Sequence, residues 1–183
     1  MALTILDIEC IFDEHGHLDY AGEPVTQLQH ALQAGALAEA EGAGDALITA
    51  AFLHDLGHML NLQGDTPTVR GIDDTHQYFA IPFLRGTFGD DVLEPIRLHV
   101  DAKRALCALE SDYFDALSED SRRSLKLQGG IYSKAETDTF LTKPYAHDAM
   151  RLRRWDDNAK VAGLATPPLT HFLDIACRVT DDR

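Results

Sequence analysis

The sequence predicts an all-α fold, a single helical bundle over residues 1–183. Three observations carry that expectation. Apolar residues recur at helical spacing through most of the chain, capping residues open those segments while Gly or Pro closes them, and no run alternates apolar with polar residues as a half-buried strand would. With 183 residues and 45% hydrophobic content the chain is long enough to fill one core and short for two.

Leu3, Ile5, Leu6, Ile8, Ile11 and Phe12 fall mostly on one side of a helix over 3–14, which His15-Gly16-His17 turns off. Residues 18–25 are irregular. Thr26 with Gln29 three places on is a capping-box pattern. It opens a helix that runs to about Gly42 and is apolar almost all round, so His30 points inward, where an imidazole needs a partner. Asp45 caps the next helix, which passes through Phe52-Leu53 into His54-Asp55, and Gly57 supplies the backbone freedom of a helix end. Residues 61–74, with Gly64, Asp65, Pro67, Gly71, Asp73 and Asp74, read as a loop able to act as a lid. Helix resumes from Thr75-His76 to Gly86 and again from Asp90 to His99, with Lys103 one turn further on the same face. Ser118 before Glu119-Asp120 starts a helix that Gly129-Gly130 ends; others cover 133–141 and, around Trp155, Arg151 to Lys160. Pro167-Pro168 precede a short terminal helix.

The formal net charge of −14 argues against nucleic acid and against an acidic membrane surface, since both are bound through clustered Lys and Arg. The cations are unevenly spread. Residues 1–90 hold only Arg70 and Arg85, whereas the other 14 follow, several bunched as Lys103-Arg104, Arg122-Arg123 and Arg151-Arg153-Arg154, as if reserved for a small anion. Cys10, Cys107 and Cys177 are odd in number and widely spaced, which fits reduced thiols acting as core residues. The first ten residues lack the basic region of a signal sequence, and no apolar run approaches a membrane span. A cytoplasmic protein is the expectation.

The stretch that carries chemistry is Ala51-Phe52-Leu53-His54-Asp55-Leu56-Gly57-His58. An imidazole beside a carboxylate offers a metal two donors that suit iron, manganese or zinc. His30, His76, His99 and Asp156, each in a helical segment, complete a set of six, with Asp157 an adjacent competitor for the last place. One such histidine alone is an ordinary core or surface residue. Six donors in this order, all N or O and none a thiolate, point to a metal centre at the middle of the bundle.

Further motifs are Tyr20-Ala21-Gly22-Glu23, Gln27-Leu28-Gln29-His30, Leu98-His99-Val100-Asp101-Ala102-Lys103-Arg104, Ser121-Arg122, Leu127-Gln128-Gly129-Gly130 and Arg153-Arg154-Trp155-Asp156. With the His-Asp pair they give a chain that, over roughly residues 18–160, resembles the HD-domain superfamily and, within it, the mixed-valent di-iron oxygenases of organophosphonate breakdown. The resemblance implies two iron ions as Fe(II)/Fe(III), with O2 as co-substrate. His30, His54, Asp55 and Asp156 would hold one iron, and His76, His99 and a bridging Asp55 the other. Tyr20, Glu23, His58, Lys103, Ser121 and Arg153 would contact the substrate, with His58, Lys103 and Asp55 catalytic. The implied reaction is oxidative C–P cleavage of a 1-hydroxy-2-amino- or 2-trimethylammonio-ethylphosphonate to phosphate and glycine or glycine betaine. Glu23 beside Tyr20 suits the ammonium end. The implied partners are that small molecule and an upstream 2-oxoglutarate/Fe(II) hydroxylase, with the chain a monomer or weak homo-oligomer.

The alternative is a metal-dependent HD phosphohydrolase using the same six ligands on a phosphate ester or nucleotide; the Tyr20 to Glu23 segment speaks against it. An inositol-type ring-cleaving oxygenase would be a much longer chain, a sensory module would have lost ligands, and a zinc peptidase would carry Glu directly after His54.

Overall fold

The computed structural model describes residues 2–20, 22–62, 67–73 and 75–180. Among these, twelve α-helices and one 3-10 turn succeed one another, and β pairing is limited to two isolated bridges, Asp19 with Thr26 and Phe88 with Thr180. The expected all-helical class is what folds. No helix among the described residues is long and apolar enough to cross a membrane.

Helix α1 (Ile5–His15) and α2 (Gln27–Ala40) both open with a capping box. At α2 the Gln29 backbone N–H donates to the Thr26 hydroxyl at 3.2 Å, and the Gln29 side-chain oxygen accepts from the Thr26 N–H at 2.9 Å. That cap fixes the register that turns His30 fully inward. Helix α3 (Asp45–Leu53) is buried from Leu47 onward and leads into the His54-Asp55 corner before the short α4 (Leu56–Leu60). Its cap is Gly44, and Asp45 is the first helical residue, where its carboxylate meets the positive helix end.

Gly57 does not end a helix. It lies inside α4, and a Cβ there would overlap the backbone carbonyl of His76. Its role is therefore close approach, since a bare Cα lets the His54-Asp55 corner press against the segment that carries His76. Where a continuous helix over 75–86 is expected, two short ones form, α5 (His76–Phe79) and α6 (Ile81–Leu84), with Pro82 in the first turn of α6. Thr75, directly before His76, sits in the left-handed region at φ 51°, an uncommon place for a β-branched residue. Of the expected 61–74 loop, Pro67–Arg70 forms the 3-10 turn, while Gly64, Asp65 and Asp74 lie outside the described residues, as does Ala21 of the Tyr20 motif.

Helix α7 (Asp90–Leu109) is the longest, continuing ten residues past His99. Its two faces serve two apolar clusters. Val92, Leu93 and Ile96 join Phe12, Phe52, Leu84, Phe88 and Phe172 in the main core, while Leu98, Ala102 and Ala105 pack on Phe140, Ala146 and Ala149. After α8 (Tyr113–Ala116), Ser118 caps α9 (Glu119–Leu127), which Gly129 and Gly130 close at positive φ. Helix α10 (Lys134–Leu141) precedes α11 (Ala146–Asn158), which starts five residues ahead of Arg151, and α12 (Leu169–Cys177) ends the described chain. The cysteines are not core residues. Cys10 and Cys177 are exposed and Cys107 is half-buried, because their helices turn Ile8, Phe12, Phe172 and Ile175 inward instead.

Gly57→Ala forces the His76 carbonyl to move. Overpacking of this kind costs about 1–3 kcal/mol. The expected outcome in a thermal melt is a fall in Tm of about 2–4 °C for each kcal/mol at this chain length, with Gly44→Ala, where a Cβ meets nothing within 4 Å, as the control.

Candidate metal centre

The six donors come from five separate helical segments. His30 stands on α2, His54 and Asp55 at the corner after α3, His76 at the start of α5, His99 on α7 and Asp156 on α11, and none is more than 8% exposed. They fall into two groups sharing one carboxylate. His30, His54, Asp55 and Asp156 form the first and Asp55, His76 and His99 the second, each group's ligand atoms lying within 4.8 Å of one another. Asp55 Oδ2 faces His30 Nε2 at 3.4 Å and His54 Nε2 at 3.3 Å, while Oδ1 faces His76 Nε2 at 3.3 Å and His99 Nε2 at 3.7 Å. Asp156 Oδ1 is 3.5 Å from His30 Nε2. Asp157 turns elsewhere, accepting from the Tyr113 hydroxyl and the Arg153 guanidinium.

Backbone carbonyls set the tautomers. His30 Nδ1 meets Ala159 O at 2.9 Å, His54 Nδ1 meets Ala51 O at 2.8 Å, and His99 Nδ1 meets Ile96 O at 2.7 Å. A carbonyl only accepts, so each Nδ1 carries the hydrogen and each Nε2 is left with a lone pair. Yet His30 Nε2 and His54 Nε2 lie 3.2 Å apart, as do His76 Nε2 and His99 Nε2 at 3.1 Å. At the His30–His54 pair two such lone pairs converge, which a cation between them would relieve. Asp55 Oδ1 and Asp156 Oδ1 are buried without a hydrogen-bond partner, which is the same demand made by oxygen. The donor set therefore fits metal ions, with the second ring nitrogen of His30, His54 and His99 held as metal-binding histidines require.

The electrostatics agree. Burial opposes a charge on Asp55, but His54, His76 and His58 outweigh it and hold the carboxyl well below the usual range. Burial likewise opposes a proton on His54, yet Asp55 and Asp156 lift its pKa to about 10. A site that draws a proton onto a buried imidazole is one that calls for positive charge.

The centre opens on a cavity of about 330 Å3, lined by Tyr20, Glu23, Asp55, His58, His76, His99, Lys103, Ser121, Arg153 and Asp156. His30 and His54 lie behind that wall, fully buried. The Tyr20 hydroxyl donates to Asp55 Oδ2 at 2.7 Å, and its ring stacks on His30 with centroids 3.9 Å apart. His58 stacks on His76, its Nε2 3.9 Å from Asp55 Oδ2. Lys103, 2% exposed, donates to Ser124 Oγ at 2.8 Å. Arg153 pairs with Asp156 Oδ2 at 2.7 Å and reaches Ser121 Oγ at 3.4 Å. Most of the bunched cations sit elsewhere. Arg104 caps the Gly129 and Gly130 carbonyls, Arg123 pairs with Glu119, Arg151 with Glu41 and Arg154 with Glu110.

Among the lining residues to which the sequence reading assigns no role are Ser124, Gln128 and Lys160. Ser124 follows Ser121 by three on α9, a signal of a shared face. Lys160, just past the end of α11, has none. Its ammonium lies 3.3 Å from Glu23 Oε1 and 3.3 Å from Ser121 Oγ.

No family model matches the chain. It is 46% identical over 163 residues to hydroxymethylphosphonate dioxygenase of Gimesia maris, the match spanning 88% of this chain and 81% of that protein. Over 175 residues it is 37% identical to [1-hydroxy-2-(trimethylamino)ethyl]phosphonate dioxygenase (glycine-betaine-forming) of Leisingera caerulea, spanning 93% of this chain and 87% of that one. An uncharacterised protein of Acanthamoeba polyphaga mimivirus is 34% identical over 167 residues, 90% of this chain and 76% of its own.

Burial, with Arg153 and Lys160 nearby, depresses the Lys103 ammonium to about 7. The lysine is charged below that pH and neutral above it, so its pull on an anion fades as pH rises. Titrated with sulfate, which keeps its charge throughout the neutral range, the protein is expected to bind more weakly above about pH 7. Lys103→Ala should lack that pH dependence, binding more weakly than wild type below about pH 7 by about 1.5–3 kcal/mol, with the difference shrinking above it.

Proposed function

Because the chain belongs to the HD-domain family of phosphonate dioxygenases, we propose that its two donor groups hold an Fe(II)/Fe(III) pair bridged by Asp55 and act on a small 1-hydroxyalkylphosphonate. The chain is an oxygenase, and oxidative cleavage of a C–P bond with O2 and a metal cofactor is its chemistry. What carries the finer reading is one juxtaposition. Two nitrogen- and oxygen-donor groups sharing a carboxylate open on the cavity that also presents Lys103, Ser121 and Arg153.

His30, His54 and Asp156 would hold one iron, His76 and His99 the other. The second group has three protein donors to the first group's four, so it would be the one with room for a substrate oxygen. When bound, the pair supplies the redox chemistry and polarises the substrate oxygen. The protein does the rest. Lys103 and Arg153 neutralise the phosphonate by their charge, Arg153 being held in place by Asp156 and Asp157, and the Ser121 hydroxyl donates to a phosphonate oxygen. His58, beside Asp55 and on the cavity wall, can hold a proton at Nε2 close to the reacting carbon's oxygen. Tyr20 covers Asp55 and His30 and limits the access of water. In the net reaction one hydroxyalkylphosphonate and one O2 give one carboxylic acid and one phosphate. The carbon bearing hydroxyl and phosphorus is oxidised and O2 is reduced. A hydroxylase acting on the parent phosphonate is the class of enzyme that would supply the substrate.

Metal analysis of the purified protein should give two irons per chain, with a half-integer-spin signal in the mixed-valent state. Asp55→Ala is expected to lose both irons and Asp156→Ala to affect one group; a single zinc with full activity would defeat the di-iron reading.

Phosphate release from a hydroxyalkylphosphonate should require O2. Anaerobic turnover of a phosphate ester at a comparable rate would transfer the same six donors to a hydrolase.

A further inference from the structure

The cavity contains a cation of its own where a substrate's ammonium would sit. Glu23 Oε1 is buried without a hydrogen bond of good geometry, and what faces it is the Lys160 ammonium at 3.3 Å. The same ammonium stands 5.9 Å from the centre of the Tyr20 ring and within 3.5 Å of Ser118 Oγ. A carboxylate and an aromatic face are the two features that recognise an amino or quaternary ammonium group, and here one lysine engages both.

The backbone that carries Lys160 is held in place. Its neighbour Ala159 gives its carbonyl to His30 Nδ1, behind the metal centre, at 2.9 Å. On the other side Val161 is clamped by the Gln33 side chain, which accepts from the Val161 N–H at 3.0 Å and donates to the Val161 carbonyl at 2.9 Å. The backbone on both sides of Lys160 is tied to α2. A substrate ammonium entering this corner would have to displace a part-buried ion pair and would leave two cations in one small cavity, each competing for Glu23.

We infer that Lys160 is a specificity-determining residue: by occupying Glu23 and the Tyr20 face, it tunes the site to 1-hydroxyalkylphosphonates with no positive charge beside the carbinol carbon. The inference rests on the phosphonate oxygenase reading above and adds which member of that substrate class fits. Glu23, in this chain, neutralises a residue of the protein.

The test compares phosphate release under O2 from hydroxymethylphosphonate and from [1-hydroxy-2-(trimethylamino)ethyl]phosphonate, as a ratio of kcat/KM. The iron-loaded wild-type protein is expected to favour the uncharged substrate by about 100-fold or more, since placing like charges together costs several kcal/mol. Lys160→Met should move that ratio by at least about tenfold toward the cationic substrate, because Glu23 is released to meet it. Lys160→Arg should keep the wild-type ratio, and Lys160→Met combined with Glu23→Gln should lose the gain. Comparable turnover of both substrates by the wild-type protein, which needs no variant to fold, overturns the inference. So do equal losses on both substrates in a Lys160→Met protein that retains its iron and helical content, which would assign Lys160 to the phosphonate itself. Phosphate from neither substrate with any of these proteins would overturn the oxygenase reading, and this inference with it.

Discussion

Burying the Asp55 carboxylate is the act on which the rest of the structure depends. Both of its oxygens are turned toward imidazole nitrogens from four different segments, and Oδ1 has no hydrogen-bond donor. A carboxylate taken out of water without a partner is costly. The surrounding histidines do not relieve it as donors, because carbonyls hold the hydrogens of three of them on the far side of the ring. The Tyr20 hydroxyl serves Oδ2, and a cation inside the ring of donors would satisfy Oδ1 and the imidazole nitrogens together, so the donor set suits a metal on hydrogen-bonding grounds before any chemistry is considered.

The carbonyls that orient the histidines differ in reach. His54 and His99 each use the residue three before them on their own helix, so their tautomers are set as soon as α3 and α7 form. His30 uses Ala159, 129 residues away. That one bond ties α2 to the end of α11, the helix that brings Asp156 and Arg153, and it fixes the segment from which Lys160 projects. Metal geometry and substrate corner therefore share a support, and a change at Ala159 or Gln33 acts on both.

How much of this was legible follows from the range of each interaction. Capping boxes, helix spacing and donor types are local, and they delivered the all-helical class, the inward turn of His30 and the six donors the fold gathers. Gly57 was misread because the reason for it, the His76 carbonyl, lies 19 residues on and leaves no local trace. The break of 75–86 into two helices does carry a local mark, Pro82 in the first turn of α6, but the early start of α11 goes with the packing of Ala146 and Ala149 on α7, and the cysteines were misjudged because a small apolar residue on an amphipathic helix carries no mark of its face. The choice between Asp156 and Asp157 is a matter of which way α11 faces. Lys160 was invisible for the same kind of reason: it stands just beyond the helix, and only the fold puts it against Glu23.

The charge of the cavity gives the metal a second duty. Among the described residues its lining carries Lys103, Arg153 and Lys160 against Asp19, Glu23, Asp55, Asp73, Asp120 and Asp156, a formal 3 − 6 = −3. The whole chain stands at −14. A phosphonate dianion approaching such a protein meets repulsion at long range and again at the mouth. The proposed iron pair brings five positive charges, which would turn the lining to about +2 and so reverse the sign of the local field. On that proposal binding would have an order imposed by electrostatics, metal first and anion second. Lys103 and Arg153 act as short-range clamps that matter once the metal has made entry favourable. The same proposal accounts for so few cations at the site of an acidic protein: the strongest local positive charge would come from the cofactor, and the side chains would need only to orient what it attracts.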